Sequence, residues 1–149
     1  MVELDMNRNI WFGQSTSDEK PWGHEVKFAG IFHGKHIFMR QNHRTSLKFN
    51  KQKNEMLYVV GGEVLIEYSS ERHFKAPIQH PAKTRKMSPG EFMNIQAGCP
   101  YRLTALSDST VFEISDSKFG SSRVIIEDDY GRETDSEQVE WIFNPPMVE

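Results

Sequence analysis

Glu55 heads the run Glu55-Met56-Leu57-Tyr58-Val59-Val60, and its position there makes it the first candidate for chemistry. Side chains alternate between the two faces of a strand, so if Leu57 and Val59 face a core, Glu55 faces it as well. An unpartnered carboxylate in that position costs several kcal/mol. Something must therefore sit opposite Glu55: a metal, a cation or a ligand. The preceding run, Arg44 to Asn50, alternates too. Ser46, Lys48 and Asn50 fall on one of its faces, and Leu47 and Phe49 on the other. On this register Lys48 and Glu55 project into one interior, and a slip of one residue would turn Lys48 outward.

The histidines carry weaker signals. His33 and His36 are spaced for a metal pair on a helix, but residues 31–40 are expected to form two short strands around His33-Gly34. Both are therefore expected to be structural or surface residues. His73 and His80 lie between Ser69 and Gly90, where Pro77, Pro81, Pro89 and scattered Lys and Arg predict a long loop without strand or helix. Loops of that length are functional or disordered, which keeps both histidines as minor candidates.

Positioning such a site requires strands and tight turns. A polar turn, Asn50 to Asn54, separates the first two runs, and Gly61-Gly62 can supply the positive φ of a second turn. Residues 63–68 then resume the alternation. Upstream, Lys20-Pro21-Trp22 leads into a first strand. Downstream, Pro89-Gly90 turns into the alternating residues 91–98, and a turn at Gly98–Pro100 leads to a strand with Tyr101, Leu103 and Ala105 on one face. Residues 109–115 and 123–127 complete the set. Short strands punctuated by turns, with almost no helical period, predict an all-β sandwich or barrel, of which a jelly roll is the natural small example. Three segments are expected: an arm or added edge strand over 1–19, anchored by Trp11 and Phe12; a barrel over 20–132; and a tail over 133–149. In the tail, Thr134 and Glu137 at capping-box spacing start a short helix that Asn144-Pro145-Pro146 ends.

Composition narrows the setting. The 149 residues make one domain with room for a real core. A mean hydropathy of -0.62 and the lack of a long apolar run predict no membrane association. The first residues lack the basic start and apolar block of a secretory signal, and the single cysteine, Cys99, excludes an intrachain disulfide. A cytoplasmic protein is expected. The net charge of -3 argues against nucleic-acid binding. Basic residues nonetheless dominate 31–86, and acidic ones the segment after Ile126. A basic middle can attract an anion such as a phosphate, or simply be a solvated surface.

Five motifs in order carry a family resemblance: KPWGHEV (20–26), RTSLKF (44–49) leading to Glu55, Gly61-Gly62, PGEFMNIQAGCPYRL (89–103) and EDDYGR (127–132). The chain resembles the cupins, and more narrowly the small cupin domain of type II mannose-6-phosphate isomerases, over roughly Lys20 to Arg132. The resemblance implies a cupin-type jelly-roll barrel with an interior site. In cupins, two side chains at i and i+2, usually His, a Glu on the next strand and a later His hold Fe, Mn, Ni or Zn. Carried over, these positions are Lys48, Asn50, Glu55 and Tyr101, of which only the Glu is retained. Gln96 replaces the usual Pro and Ala105 the usual Asn. An ammonium, an amide and a phenol are poor company for a divalent ion. The expectation is thus a degenerate site with no metal and no cofactor, in which the Lys48 ammonium faces Glu55 and Asn50 and Tyr101 complete the hydrogen bonds. Such a pair can also be purely structural.

The function implied is binding of a sugar or sugar-phosphate. In its enzymatic form this is a metal-free isomerase or epimerase, with Glu55 abstracting a proton, Tyr101 donating one and Lys48 stabilising the oxyanion. Lys51, Lys53 and Arg102 would hold a phosphate at the mouth, with Gln52 and His43 as further ligand-binding residues. The alternative is a non-catalytic carbohydrate-binding or assembly module, and a weaker third form is a metalloenzyme with unusual ligands. A homodimer is expected, because cupin sheets leave edges and apolar faces and relatives commonly pair.

Overall fold

The computed structural model describes residues 8–70, 72, 76, 78–116 and 123–131. Its strands are β1 (Thr16–Lys20), β2 (Gly23–Ala29), β3 (His33–Met39), β4 (Leu47–Asn50), β5 (Glu55–Gly61), β6 (Val64–Tyr68), β7 (Lys83–Met87), β8 (Phe92–Ile95), β9 (Tyr101–Ala105), β10 (Ser109–Ser115) and β11 (Arg123–Glu127). They form two antiparallel sheets, ordered β1-β2-β3-β10-β5-β8 and β11-β4-β9-β6-β7. The fold is the all-β jelly roll that the alternating runs predict. Among the described residues no helix is long and apolar enough to cross a membrane.

Period-two patterning fills the space between the sheets. In β5, Glu55, Leu57 and Val59 are buried while Met56, Tyr58 and Val60 are exposed. The facing sheet contributes Val64, Ile66, Leu103 and Ala105, and Trp22, Met39, Met87 and Val111 join them in one cluster. Burying each such side chain contributes about 1.5–3 kcal/mol. Phe49 and Val124 pair across β4 and β11 in a second, small cluster. Phe49 occupies the face of β4 opposite Lys48 and Asn50, as its alternation requires.

Three local expectations change. Residues 33–39 form one strand, not two, because Gly30 to Phe32 makes the turn and His33-Gly34 pairs with β2. The segment expected to be a loop contains β7. Its sequence, KTRKM, lacks apolar alternation and is held by backbone pairing to the edge of β6. At the second turn only Gly62 takes a positive φ, 77°. A Cβ there would collide with the Asp108 carbonyl oxygen and Ser109. In the arm, Thr16 to Lys20 pairs with β2 as an edge strand, and Trp11 and Phe12 are exposed. The expected C-terminal helix lies outside the described residues.

The interior has two unlike ends. Near the Asp108–Ser109 turn, Met39, Val59, Val64, Ala105 and Val111 make it apolar. Near Glu55, Ser115 and Tyr101 it is polar and charged.

Candidate functional site

The polar end is assembled by register. Glu55 opens β5, Asn50 closes β4 across a short turn, and Tyr101 opens β9 as the direct neighbour of Lys48. The Asn50 amide donates to Glu55 Oε1, and the Tyr101 hydroxyl donates to Oε2 at 3.1 Å. Both donors and the carboxylate are buried. The cation nearest the carboxylate is Lys53, with Nζ 3.9 Å from Oε2 and 4.0 Å from Glu113 Oε2. Lys35 continues the array, 3.9 Å from Glu113 and 3.8 Å from Glu25. Lys48 does not meet Glu55 directly: its ammonium lies 5.3 Å from the centre of the Tyr101 ring.

Burial sets the protonation states. It pushes the Glu113 carboxyl up to about 8, helped by the hydrogen bond to Glu55 and by that residue's charge. Burial also opposes ionisation of Glu55. There, however, the hydrogen bond from Glu113, the charges of Lys53 and Lys48, and the Tyr101 hydroxyl together hold the carboxyl below its ordinary range. The two carboxyls thus share one proton at neutral pH, with Glu55 ionised and Glu113 protonated. Burial lowers the Lys48 ammonium to about 8 against the pull of Glu55. Burial, then the charges of Glu55 and Glu113, raise the Tyr101 phenol well above its usual range, so it remains a neutral donor.

A cavity of about 370 Å³ opens beside this cluster. Tyr101 forms part of its wall, together with Tyr68, His80, Lys83, Ile95 and Cys99. Tyr101 therefore stands between solvent-accessible space and the buried carboxylates. His80, one of the minor candidates, lines the cavity; His73 lies outside the described residues. Lys51 and Gln52 lie in the turn after β4, outside the cavity wall.

Three expected ligand-binding residues are employed elsewhere. Lys53 is buried as the counter-charge of Glu55 instead of waiting at the mouth. Arg102 points to the opposite face of β9 from Tyr101, where its Nε donates to the Thr45 carbonyl at 2.9 Å and its Nη atoms reach Glu127 and Asp129. Acidic residues of the EDDYGR motif thus neutralise Arg102 and also Arg44. His43 belongs to the apolar end, where its carbonyl accepts from Ala105 N and its ring contacts Gln41 O. Glu113 and Lys35 escaped the sequence reading, although the alternations Val111-Glu113-Ser115 and Lys35-Ile37-Met39 carry the same signal as Glu55.

The residues at the cupin metal positions do not fit a divalent ion. Glu55 is the lone strong anionic donor, its oxygens are engaged by an amide, a phenol and a carboxyl, and an ammonium lies 3.9 Å away. Among the described residues no group of three His, Cys, Asp or Glu is placed to hold a metal.

No protein-family model matches the sequence, and no curated protein is significantly similar to it. Solved structures are similar in fold. A CapF structure with the inhibitor 3-isopropenyl-tropolone superposes with a TM-score of 0.64 at 15% identity, covering 77% of this chain and 35% of that one. The capsular polysaccharide assembling protein CapF from Staphylococcus aureus gives 0.63 at 13% identity, covering 79% and 33%. Oxalate decarboxylase from Bacillus subtilis at pH 4.6 gives 0.63 at 12%, covering 75% and 30%. The chain spans about a third of the length of each.

Proposed function

We propose that this cupin-fold chain binds a small polar molecule of sugar or sugar-phosphate type at the polar end of its barrel, without a metal. The carrying observation is the cavity of about 370 Å³ whose wall includes Tyr101, a phenol hydrogen-bonded to a buried, charge-balanced carboxylate. Hydroxyl groups of a sugar match a wall of Tyr68, His80 and Tyr101, and Lys83 offers a cation for a phosphate. The ligand class comes from the sequence resemblance to mannose-6-phosphate isomerases. A structure of the same fold described as a capsular polysaccharide assembling protein accords with it. A cytoplasmic setting and a homodimer belong to the same reading.

Calorimetric titration with mannose 6-phosphate and fructose 6-phosphate tests it. Saturable binding that Lys83→Ala weakens is expected, and no saturable heat from either compound would refute the ligand class.

The hydrogen-bonded line Tyr101–Glu55–Glu113 favours a catalytic form, isomerase or epimerase, because it joins a neutral donor, an ionised base and a protonated acid. Glu55 does not line the cavity, so Tyr101 would carry protons between ligand and base. Incorporation of solvent deuterium at the carbon next to the sugar carbonyl, lost in Tyr101→Phe, distinguishes the enzyme from a binding module.

A further inference from the structure

We propose that Lys48 is an amine nucleophile that forms an imine with a carbonyl-bearing ligand at the polar end of the barrel. This deepens the sugar-type reading above and rests on it, since it names the open-chain carbonyl as the group recognised.

Four observations carry it. Lys48 projects from β4 on the inner face, between buried Asn50 and the direct strand neighbour Tyr101. Protein surrounds its side chain, yet the residue keeps partial exposure where the flanking Phe49 and Asn50 keep none to speak of. The carboxylate of Glu55 is already matched by Lys53, so Lys48 is not the cation the fold uses to neutralise it. Its ammonium instead rests 5.3 Å from the ring centre of the residue that lines the cavity. A desolvated lysine beside a shared-proton carboxyl pair is the setting in which an ammonium releases its proton near neutrality. The lowered Lys48 value agrees with that.

The step balances within these residues. The Lys48 ammonium gives one proton to Glu55, and the freed nitrogen lone pair attacks the carbonyl carbon. A C–N bond forms as the carbonyl π pair moves to oxygen, with the Tyr101 hydroxyl donating a hydrogen bond to that oxygen. The oxygen takes the proton held by Glu55 and a second from the nitrogen. It leaves as water when the C–O bond breaks, and the product is a protonated imine. Ammonium plus carbonyl gives iminium plus water, with no net change in protons and no oxidant or reductant. The iminium would acidify the adjacent C–H, as an isomerase requires.

Reductive trapping tests this on the intact chain. The wild-type protein is incubated with glyceraldehyde 3-phosphate and cyanoborohydride near neutral pH, digested and mapped by mass spectrometry. Lys48 should be alkylated at least roughly tenfold faster than the exposed Lys83 and Lys86, because a lowered pKa leaves more free amine. Lys48→Arg should lose that adduct, and Tyr101→Phe should slow it. An adduct confined to surface lysines, or Lys48 labelled no faster than Lys83, overturns the proposal, and neither result depends on any variant folding. Calorimetry with glycerol 3-phosphate, which lacks the carbonyl, separates the two readings. If it binds while Lys48 stays unlabelled, the imine is wrong and the polar-ligand site stands; if it does not bind and Lys48 stays unlabelled, both fail.

Discussion

Glu55 shows how much one residue discloses through its place in an alternating run. That place requires a partner, and the partners exist: Asn50, Tyr101, Glu113 and Lys53. The nearest cation was not legible, because Lys53 lies in a turn, where no periodicity assigns a direction. Lys48 sits on a strand and was the readable choice. The difference has a measurable consequence. Lys53→Met should cost about 3–5 kcal/mol of unfolding free energy, and adding Glu55→Gln should recover much of it, since removing one partner of a buried pair strands the other. Denaturant unfolding of the two single variants and the double variant gives the coupling, and a value near zero would mean that Lys53 does not compensate Glu55. The shared proton predicts a pH signature as well. Glu113 titrates near 8 in the folded chain and near 4.5 when unfolded, so the folded state holds more protons between those values and stability falls as pH rises through them. Lys48 has the opposite sign: its folded value of about 8 lies below the ordinary 10.5, so stability returns between about 8 and 10.5. Thermal melting should therefore show a shallow minimum near pH 8, and Glu113→Gln should flatten its acidic limb. A melting temperature in that variant with the wild-type slope from pH 5 to 8 would rule out the shared proton.

Elements were legible where apolar residues alternate and hidden where the backbone alone does the pairing. β5, β6, β9 and β10 each bury every second residue, and each was readable from that period. β7 was not, because four of its five side chains are exposed and its place depends on hydrogen bonds to β6 that leave no trace in composition. The β2–β3 hairpin is deceptive for a related reason. His33-Gly34 has the composition of a turn, but Gly34 is buried in mid-sheet, where Phe28 fills the space a side chain would need. The second turn makes the finer distinction testable. Gly62 has φ of 77° and no room for a Cβ, whereas Gly61 has neither constraint. Gly62→Ala should lower unfolding free energy by about 1–3 kcal/mol through strain, and Gly61→Ala should change it by less than about 1 kcal/mol. Chemical denaturation of the two variants checks the ordering, and equal effects would contradict the left-handed turn.

For the whole molecule, the decisive feature is the outer face of the six-stranded sheet. Phe92, Tyr58, Phe112 and His36 stand in one cross-strand row, and Phe28 stacks on Phe112 with ring centres 5.9 Å apart. Phe28, Ile31, Phe32, Met56, Tyr58, Val60, Phe92 and Ile114 are between 40% and 74% exposed. At roughly 150–250 Å² for a large side chain, they leave on the order of 800 Å² of apolar surface in one region. A monomer's largest apolar patch is commonly about 300–600 Å², whereas a standard interface takes about 800 Å² from each partner. The exposed Trp11 and Phe12 of the arm extend the same side of the molecule, where a crevice of about 560 Å³ joins Trp11 to Phe28, Ile31 and Phe32. A second copy of the chain suits this face because a two-fold axis through it sets the same patch against itself. The expected mass in solution is therefore close to twice the 17.3 kDa of one chain. Tyr58→Arg, at the centre of the row, would place a buried like-charge pair across the axis and should give a folded monomer, since the residue contributes nothing to the interior of its own barrel. Light scattering with circular dichroism reads both properties at once. A wild-type mass of one chain, or a Tyr58→Arg protein that remains dimeric, would remove this sheet face from the assembly.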